Sequence, residues 1–336
     1  MAHPQWIRRL GTAKSGFRYV TDTDAPVRAR AVLARIDALR IPPAYREVHI
    51  AGNPRAAIQA WGFDARGRRQ YRYHPRAVER GQLRKYHRVA RLGKDLPAIR
   101  SALARDFHAP GLTKTRVAAG VVRLISEGYL RVGETRYERE NHTFGASTLR
   151  KSHASVNGAR VTVHFIGKRG IPQQHEIRDR QLAAFIAELK TTPGGRLFRY
   201  LTPDGWCDLT SRDVNAYLRT LTNVPYTSKD FRTWGGTLQC AVALAEAGPA
   251  DTERHAKKNV VAAIRTVADM LGNTPAISRK SYVHPLVIGL YVDRGLTIAE
   301  YLRQRRAAKR LAVEEWALTR FLNAHFPDRR RKPRAA

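Results

Sequence analysis

Near the C-terminal end of the chain, residues 272 to 282 read Gly272-Asn-Thr-Pro-Ala-Ile-Ser-Arg-Lys-Ser-Tyr282. On one continuous helix its asparagine and tyrosine would be nine steps apart, about 900°, and would lie on opposite faces. Glycine commonly ends a helix, and Thr-Pro caps and opens another. The stretch therefore predicts a helix, a turn and a second helix, which lets Asn273 and Tyr282 serve one site.

The chain beyond about residue 90 is mostly helical, because apolar residues recur at helical spacing. One hairpin interrupts the helices: Arg160 to Ile166 and Ile171 to Ile177 read as strands, and Gly167-Lys-Arg-Gly170 has the composition of a turn. The segments with helical spacing are Val117 to Leu130, Leu182 to Leu189 and Val260 to Leu271.

The N-terminal region has a different pattern. A helix is predicted at Pro26 to Leu39, with Asp24 placed to cap it and the proline in the first turn. Residues with strand propensity follow it, and Ala65-Arg-Gly67 suggests a hairpin turn. The strand-like runs are Glu47 to Ile50, Ala57 to Phe63 and Gln70 to Tyr73.

The charge predicts a polyanionic partner. The 336 residues include 61 Lys and Arg against 28 Asp and Glu, a net charge of +33. Both parts are basic, with 19 basic and 6 acidic residues up to Ala90 and 42 and 22 beyond it. A hydrophobic fraction of 43% is typical of a folded protein. A surface selected only for solubility is the weaker interpretation, since solubility favours acidic residues, and double-stranded DNA is the expected partner.

Several classes of protein are excluded. The two cysteines, Cys207 and Cys240, form no array with ligand spacing, which excludes a zinc finger and a disulfide scaffold. The sequence has no Walker loop and no acidic cluster for two divalent ions, so we expect no ATP, no metal and no cofactor. No stretch reaches the length of a signal-peptide core or a membrane span. We therefore expect a cytoplasmic protein.

Cutting a phosphodiester without metal requires a nucleophile, cations for the non-bridging oxygens and an acid for the leaving oxygen. Four blocks offer these groups, and together they resemble the active site of type IB DNA topoisomerases, specifically the poxvirus-like enzymes of bacteria. Ala65 to Tyr73 is similar to the DNA-contacting hairpin of that family. The four blocks are Leu130-Arg-Val-Gly133, Phe165-Ile-Gly-Lys168, Lys229-Asp-Phe-Arg-Thr-Trp-Gly235 and Gly272 to Tyr282.

The resemblance implies a role for each residue. Tyr282 would attack the phosphorus and become joined to the 3′ end of the broken strand. Arg131 and Arg232 would bind the phosphate oxygens, for which permanently charged planar guanidiniums are suited. Asn273 would donate a further hydrogen bond, and Lys168 would protonate the departing 5′ oxygen. Residues implied or expected to contact DNA are Arg68, Arg69, Tyr71, Tyr73, Tyr137, Lys229, Arg279 and Lys280.

Asn273 departs from the histidine that many type IB enzymes have at this position. An amide does not titrate, so we expect no group of pKa near 6.5 at this position to shape the pH dependence of cleavage.

The expected fold is α+β, with a small strand-rich N-terminal DNA-binding domain at residues 1–90 and a larger, mainly helical catalytic domain at 91–328. A basic tail at 329–336 follows, and a linker near residues 78 to 95 is predicted to act as a hinge. The resemblance implies a monomer that closes as a clamp around duplex DNA of the nucleoid and relaxes supercoils. Two alternatives stay open: a tyrosine recombinase, and a non-catalytic basic protein that compacts DNA.

Overall fold

The computed structural model describes residues 6–304 and 311–327. Contacts within the chain divide it into two units, Met1–Lys85 and Tyr86–Ala336. The division falls five residues before the predicted domain boundary at residue 90. The predicted basic tail at 329–336 lies outside the described residues.

The first unit is built on an antiparallel five-stranded sheet of order β2-β1-β3-β4-β5. One helix packs on the sheet, and Ile7, Ile36, Val48, Ile50 and Ala60 form the core between them. The elements are β1 (Trp6–Thr12), β2 (Gly16–Val20), α1 (Arg30–Ala38), β3 (Arg46–Ala51), β4 (Ile58–Phe63) and β5 (Arg69–Tyr73). The predicted hairpin between the last two strands is confirmed.

Two features of this unit differ from the prediction. The first helix begins at Arg30 instead of Pro26, because Pro26 forms an isolated bridge with Val20, and Asp24 pairs with Arg8 instead of capping the helix. Strands β1 and β2 were not predicted. Their charged residues break up the apolar alternation by which a strand is recognised.

The segment predicted as a linker, near residues 78 to 95, is helical, and the division between the two units falls within it. Its action as a hinge stays a prediction. The segment lies inside α2 (Pro75–Phe107), a helix of 33 residues. Val89, Leu92 and Leu96 recur at helical spacing and are buried, which fixes this segment as a helix with an apolar side in the core.

The second unit is mainly helical and has a three-stranded sheet of order β6-β7-β8 and a two-stranded sheet of β9 and β10. A single core unites its helices, and the predicted helical segments and the predicted hairpin β7–β8 are confirmed. Its helices are α3 (Lys114–Gly128), α4 (Thr135–Asn141), α5 (Arg180–Lys190), α6 (Ser211–Thr220), α7 (Ser228–Ala247), α8 (Glu253–Leu271), α9 (Pro275–Ser281), α10 (Pro285–Arg294), α11 (Ala299–Arg303) and α12 (Val313–His325). Its strands are β6 (Ala154–Asn157), β7 (Arg160–Ile166), β8 (Pro172–Arg178), β9 (Arg199–Thr202) and β10 (Gly205–Asp208).

The turn between α8 and α9 has the predicted form. Gly272 follows the last residue of α8 in the left-handed conformation, with φ 57°. The Thr274 side chain accepts a hydrogen bond from the Ile277 amide, and Pro275 is the first residue of α9. This break lets Asn273 and Tyr282 reach the same side of the molecule.

Candidate active site

Arg232 lies on α7 and is buried, with 3% of its surface exposed. Its Nη2 donates to the Leu271 carbonyl at 2.8 Å, and its Nη1 donates to the Tyr129 carbonyl. The Nε of Arg232 is buried and has no hydrogen-bond partner. Burial and the nearby Arg131 both lower the pKa of Arg232, but a guanidinium starts from so high a value that it stays charged at neutral pH.

Arg131 follows α3 and binds the same end of α8. Its Nη2 donates to the Gly272 carbonyl at 3.2 Å and to Asn273 Oδ1 at 2.6 Å. The last carbonyls of a helix have no partner within the helix and form the negative end of its dipole. The end of α8 therefore holds both guanidiniums and offsets part of their mutual repulsion.

Tyr129 supplies the second carbonyl for Arg232 and was not singled out in the sequence. It caps α3 in the left-handed conformation, with φ 49°, which is uncommon for a residue other than glycine. Its ring packs on α7, where a Cβ added at Gly235 would come within 2.4 Å of it. Burial is the main cause that raises the pKa of Tyr129 to about 12, so the side chain is neutral and acts through packing.

Tyr282 follows α9 directly and lies beside the cations. The guanidinium carbon of Arg232 is 5.3 Å from the centroid of its ring. Burial acts to raise the pKa of this phenol, but the positive charges of Arg232, Arg131 and Lys229 outweigh burial and lower it. The site therefore favours the phenolate more than water does.

The Asn273 amide is paired with Arg131 through its oxygen and has no partner for its nitrogen. Because its Oδ1 accepts from Arg131, its Nδ2 is directed elsewhere, and this nitrogen is buried without a hydrogen-bond partner. Buried donors in native proteins are rarely left unpaired. Nδ2 of Asn273 and Nε of Arg232 are thus two donors that a bound acceptor could satisfy.

Lys168 occupies the turn between β7 and β8 and is exposed. The structure thus brings together four of the five predicted catalytic residues and places Lys168 at the tip of the adjacent hairpin. The inward side of β8 contributes two residues that were not singled out for the site, Gln173 and His175. Burial, followed by the charges of Arg232 and Arg131, lowers the pKa of His175 to about 4.

The predicted DNA-contacting residues are all exposed. In the first unit, the rings of Tyr71 and Tyr73 stack on each other with centroids 5.8 Å apart. Arg69 lies over the Trp61 ring at 4.4 Å, and Arg68 pairs with Asp64 at 2.8 Å. In the second unit, the exposed residues of this set are Tyr137, Lys229, Arg279 and Lys280.

Comparison with known proteins identifies the family. Residues 76–307, more than half of the chain, match the sequence model described as "Eukaryotic DNA topoisomerase I, catalytic core". The chain belongs to the type IB DNA topoisomerases. The match includes all five predicted catalytic residues, and residues 16–64 also match the model described as "Bacterial DNA topoisomerase IB, N-terminal domain".

Individual type IB topoisomerases are similar over most of their length. The chain is 33% identical to DNA topoisomerase 1B of Acanthamoeba polyphaga mimivirus over 289 residues, which cover 83% of this chain and 86% of the relative. It is 21% identical to DNA topoisomerase 1B of vaccinia virus strain Copenhagen, over 69% of this chain and 72% of that protein. The resemblance to the poxvirus-like bacterial enzymes is thereby confirmed.

The described residues were also searched for metal-binding clusters and for membrane-spanning helices. Among residues 6–304 and 311–327, no group of three or more His, Cys, Asp and Glu side chains is placed to hold a metal ion. In the same ranges, no helix combines the length and the apolar character that a membrane crossing requires.

Proposed function

We propose that this type IB topoisomerase relaxes supercoiled DNA by breaking one strand through Tyr282, letting the duplex turn, and rejoining the strand. The observation that supports this most directly is the Tyr282 phenol beside the Arg232 guanidinium and in the field of Arg131, with buried unpaired donors on Arg232 and Asn273. A phosphate diester supplies the negative charge and the acceptor oxygens that this arrangement lacks.

In the proposed cleavage step, the Tyr282 oxygen forms a bond to phosphorus as the bond from phosphorus to the 5′ oxygen breaks. The phenolic proton passes to solvent, and the Lys168 ammonium gives a proton to the departing oxygen. Rejoining is the reverse: the 5′ hydroxyl attacks, and the phenol leaves. One phosphate ester replaces another, so the step needs no ATP.

We assign the phosphate contacts from the donors that remain. Arg232 already uses both terminal nitrogens on carbonyls, which leaves its Nε for a phosphate oxygen. Asn273 offers Nδ2, and Arg131 keeps Nη1 and Nε. Donors held in place before the substrate arrives need no rearrangement as charge develops on the phosphate oxygens, and this preorganisation lowers the barrier.

We also propose how the chain contacts duplex DNA. Basic residues outnumber acidic ones in both parts of the chain, which suits a clamp in which the two units contact one duplex. The exposed rings of Tyr71 and Tyr73 offer stacking and apolar contact, and Lys229 offers charge next to Arg232 on α7. We propose a monomer acting on DNA of the nucleoid.

The experiment is relaxation of a supercoiled plasmid in EDTA without ATP. We expect the wild type and Tyr301→Phe, a control at a tyrosine that packs on Phe321, to relax the plasmid, and Tyr282→Phe to bind it without relaxing it. Relaxation by Tyr282→Phe would overturn the assigned nucleophile. Strand exchange between two DNA sites would favour a recombinase. Compaction of DNA that is unchanged by Tyr282→Phe would favour a non-catalytic DNA-binding protein.

A further inference from the structure

Gln173 fills the space between two glycines of the site. It is the second residue of β8 and has 8% of its surface exposed. A Cβ added at Gly167 would lie 2.7 Å from its Cγ, and one added at Gly272 would lie 2.5 Å from both Oε1 and Nε2. Both distances are shorter than van der Waals contact, so the Gln173 side chain lies directly against both backbones.

Each of these glycines precedes a residue of the proposed site. Gly167 comes immediately before Lys168, and its amide donates to the Ile171 carbonyl at 2.8 Å, which closes the base of the turn. Gly272 comes immediately before Asn273, and its carbonyl accepts from Arg131. One side chain thus touches the peptide that leads into the proposed acid and the peptide that holds the phosphate-binding groups.

The side chain of Gln173 is itself held in place. Its Nε2 donates to the Pro172 carbonyl at 3.0 Å. The adjacent Gln174 has the same side chain but lies on the opposite, exposed side of the strand. The two neighbours therefore form a natural pair for comparison, one between the two turns and one in solvent.

We propose that Gln173 is a positioning residue that sets the separation between the Lys168 turn and the Asn273 turn. The proposal rests on the function proposed above, in which Lys168 donates the proton and Asn273 binds the phosphate. Removing the side chain opens a gap between the turns and lets the hairpin tip move relative to the phosphate. Proton transfer depends steeply on such placement.

The test separates proton donation from the rest of the reaction. Single-turnover cleavage is measured on a duplex whose cleavage site has been mapped with the wild type, and on the same duplex with sulfur in place of the bridging 5′ oxygen. A thiol has a pKa of about 8.5, far below that of an alcohol, so a thiolate leaves without a proton. We expect Gln173→Ala to cleave the ordinary duplex about tenfold or more slowly than the wild type, and to cleave the sulfur duplex at nearly the wild-type rate.

Three variants serve as references. Lys168→Ala shows how complete loss of the acid behaves on the two duplexes. Gln174→Ala should match the wild type on both. Gln173→Met has an unbranched side chain of similar length, so it should keep the two turns apart and restore most of the cleavage rate. The melting temperature and DNA affinity of each variant are measured alongside.

The outcomes are distinguishable. A slow Gln173→Ala that the sulfur duplex restores, as it restores Lys168→Ala, supports the proposal. Equal slowing of Gln173→Ala on both duplexes, or no slowing at all, overturns the positioning role and leaves the acid intact. If the sulfur duplex fails to restore Lys168→Ala, the acid assignment in the proposed function is wrong, and the role of Gln173 is rejected with it.

Discussion

At the scale of single residues, burial and the charges of neighbouring groups act in opposite directions on the pKa of Tyr282. Arg131 and Arg232 end on carbonyls at the negative end of α8, which makes it tolerable to hold a half-buried and a buried cation side by side. Their charges lower the pKa of Tyr282 although burial acts in the other direction. A phenol with a pKa near 10 is about one-thousandth ionised at pH 7, and each unit of lowering raises that fraction about tenfold.

The first prediction concerns Asn273. Between pH 5 and 8, wild-type cleavage should show no step from position 273, because an amide does not titrate, and His175 stays neutral because its pKa is about 4. Asn273→His should add a step to the profile of cleavage rate against pH. The step should lie below about pH 6.5, because the charge of Arg131 disfavours a second positive charge on the imidazole. The cleavage rate of the variant should be relatively higher on the acidic side of the step, where the imidazolium donates a hydrogen bond. Single-turnover cleavage rates measure both profiles, and the same step near 6.5 in both proteins would contradict the prediction.

The second prediction concerns His175 and stability. Its folded-state pKa, about 4, lies below the unfolded value of 6.5, so between these values the unfolded chain binds the proton and the folded chain does not. The free energy of unfolding should therefore fall as the pH drops from 6.5 to 4, with His175 contributing about 3 kcal/mol at most.

His175→Phe removes this titration and keeps a ring beside Phe165. We expect urea unfolding of this variant to depend less on pH in that range than unfolding of the wild type. His164→Gln, at an exposed position of the same hairpin, is the control and should keep the wild-type slope. An unchanged slope in His175→Phe would show that His175 is not the group responsible.

At the scale of elements, the turn between α8 and α9 assembles the site. Gly272 has φ 57°, where a side chain is strained, and Gln173 fills the space that its Cβ would need. Gly158, in the turn between β6 and β7, also has φ 57°, but no atom lies within 4 Å of the position of its Cβ. The two glycines share one backbone requirement and differ in their surroundings.

The third prediction uses that pair. Gly158→Ala should lose about 1 kcal/mol of unfolding free energy from the left-handed conformation. Gly272→Ala should lose more than that, because its Cβ also overlaps the buried Gln173 side chain. Only Gly272→Ala should also cleave DNA slowly, about tenfold or more, because it displaces the peptide that binds Arg131 and leads to Asn273. Urea unfolding and single-turnover cleavage measure the two effects. Equal cleavage by the two variants would mean that this turn does not position the site.

Elements with strong local signals could be predicted from the sequence. Gly272 and the Thr-Pro pair specify the α8–α9 turn, and Gly167 to Gly170 specifies the hairpin tip. Strands β1 and β2 pair with each other across a short turn, and β1 also pairs with β3. They could not be predicted, because their charged residues break up the apolar alternation by which a strand is recognised. The segment predicted as a linker is helical because residues such as Leu92 are buried in the core of the second unit.

The same limit applies within the site. The ionisable residues could be proposed because their chemistry is visible in the sequence and the motifs resemble a known family. Tyr129 acts through a backbone carbonyl and Gln173 through packing against two glycines. Neither leaves a chemical signature in the sequence, so the contacts of the folded chain are needed to find them.

At the scale of the whole molecule, net charge governs binding. A charge of +33, with basic residues in excess in both parts of the chain, should make DNA affinity depend mainly on released counterions. The fourth prediction is that the logarithm of the affinity of Tyr282→Phe for a duplex falls linearly with the logarithm of salt concentration. If the protein makes six or more phosphate contacts, its affinity for the duplex should fall about a thousandfold or more between 50 and 200 mM salt. Fluorescence anisotropy measures it, and a flat dependence would contradict electrostatic binding.

In the proposed reaction, Tyr282 becomes joined to the 3′ phosphate of the broken strand, and the position of that bond can be measured directly. A duplex labelled at the 5′ end of the cleaved strand is incubated with enzyme in EDTA, denatured and digested, and the nucleotide-linked peptide is sequenced by mass spectrometry. We expect the labelled fragment to be joined to protein at Tyr282, and Tyr282→Phe to form no such product. A nucleotide on any other residue, or attachment to the fragment that bears the 5′ end of the break, would contradict it.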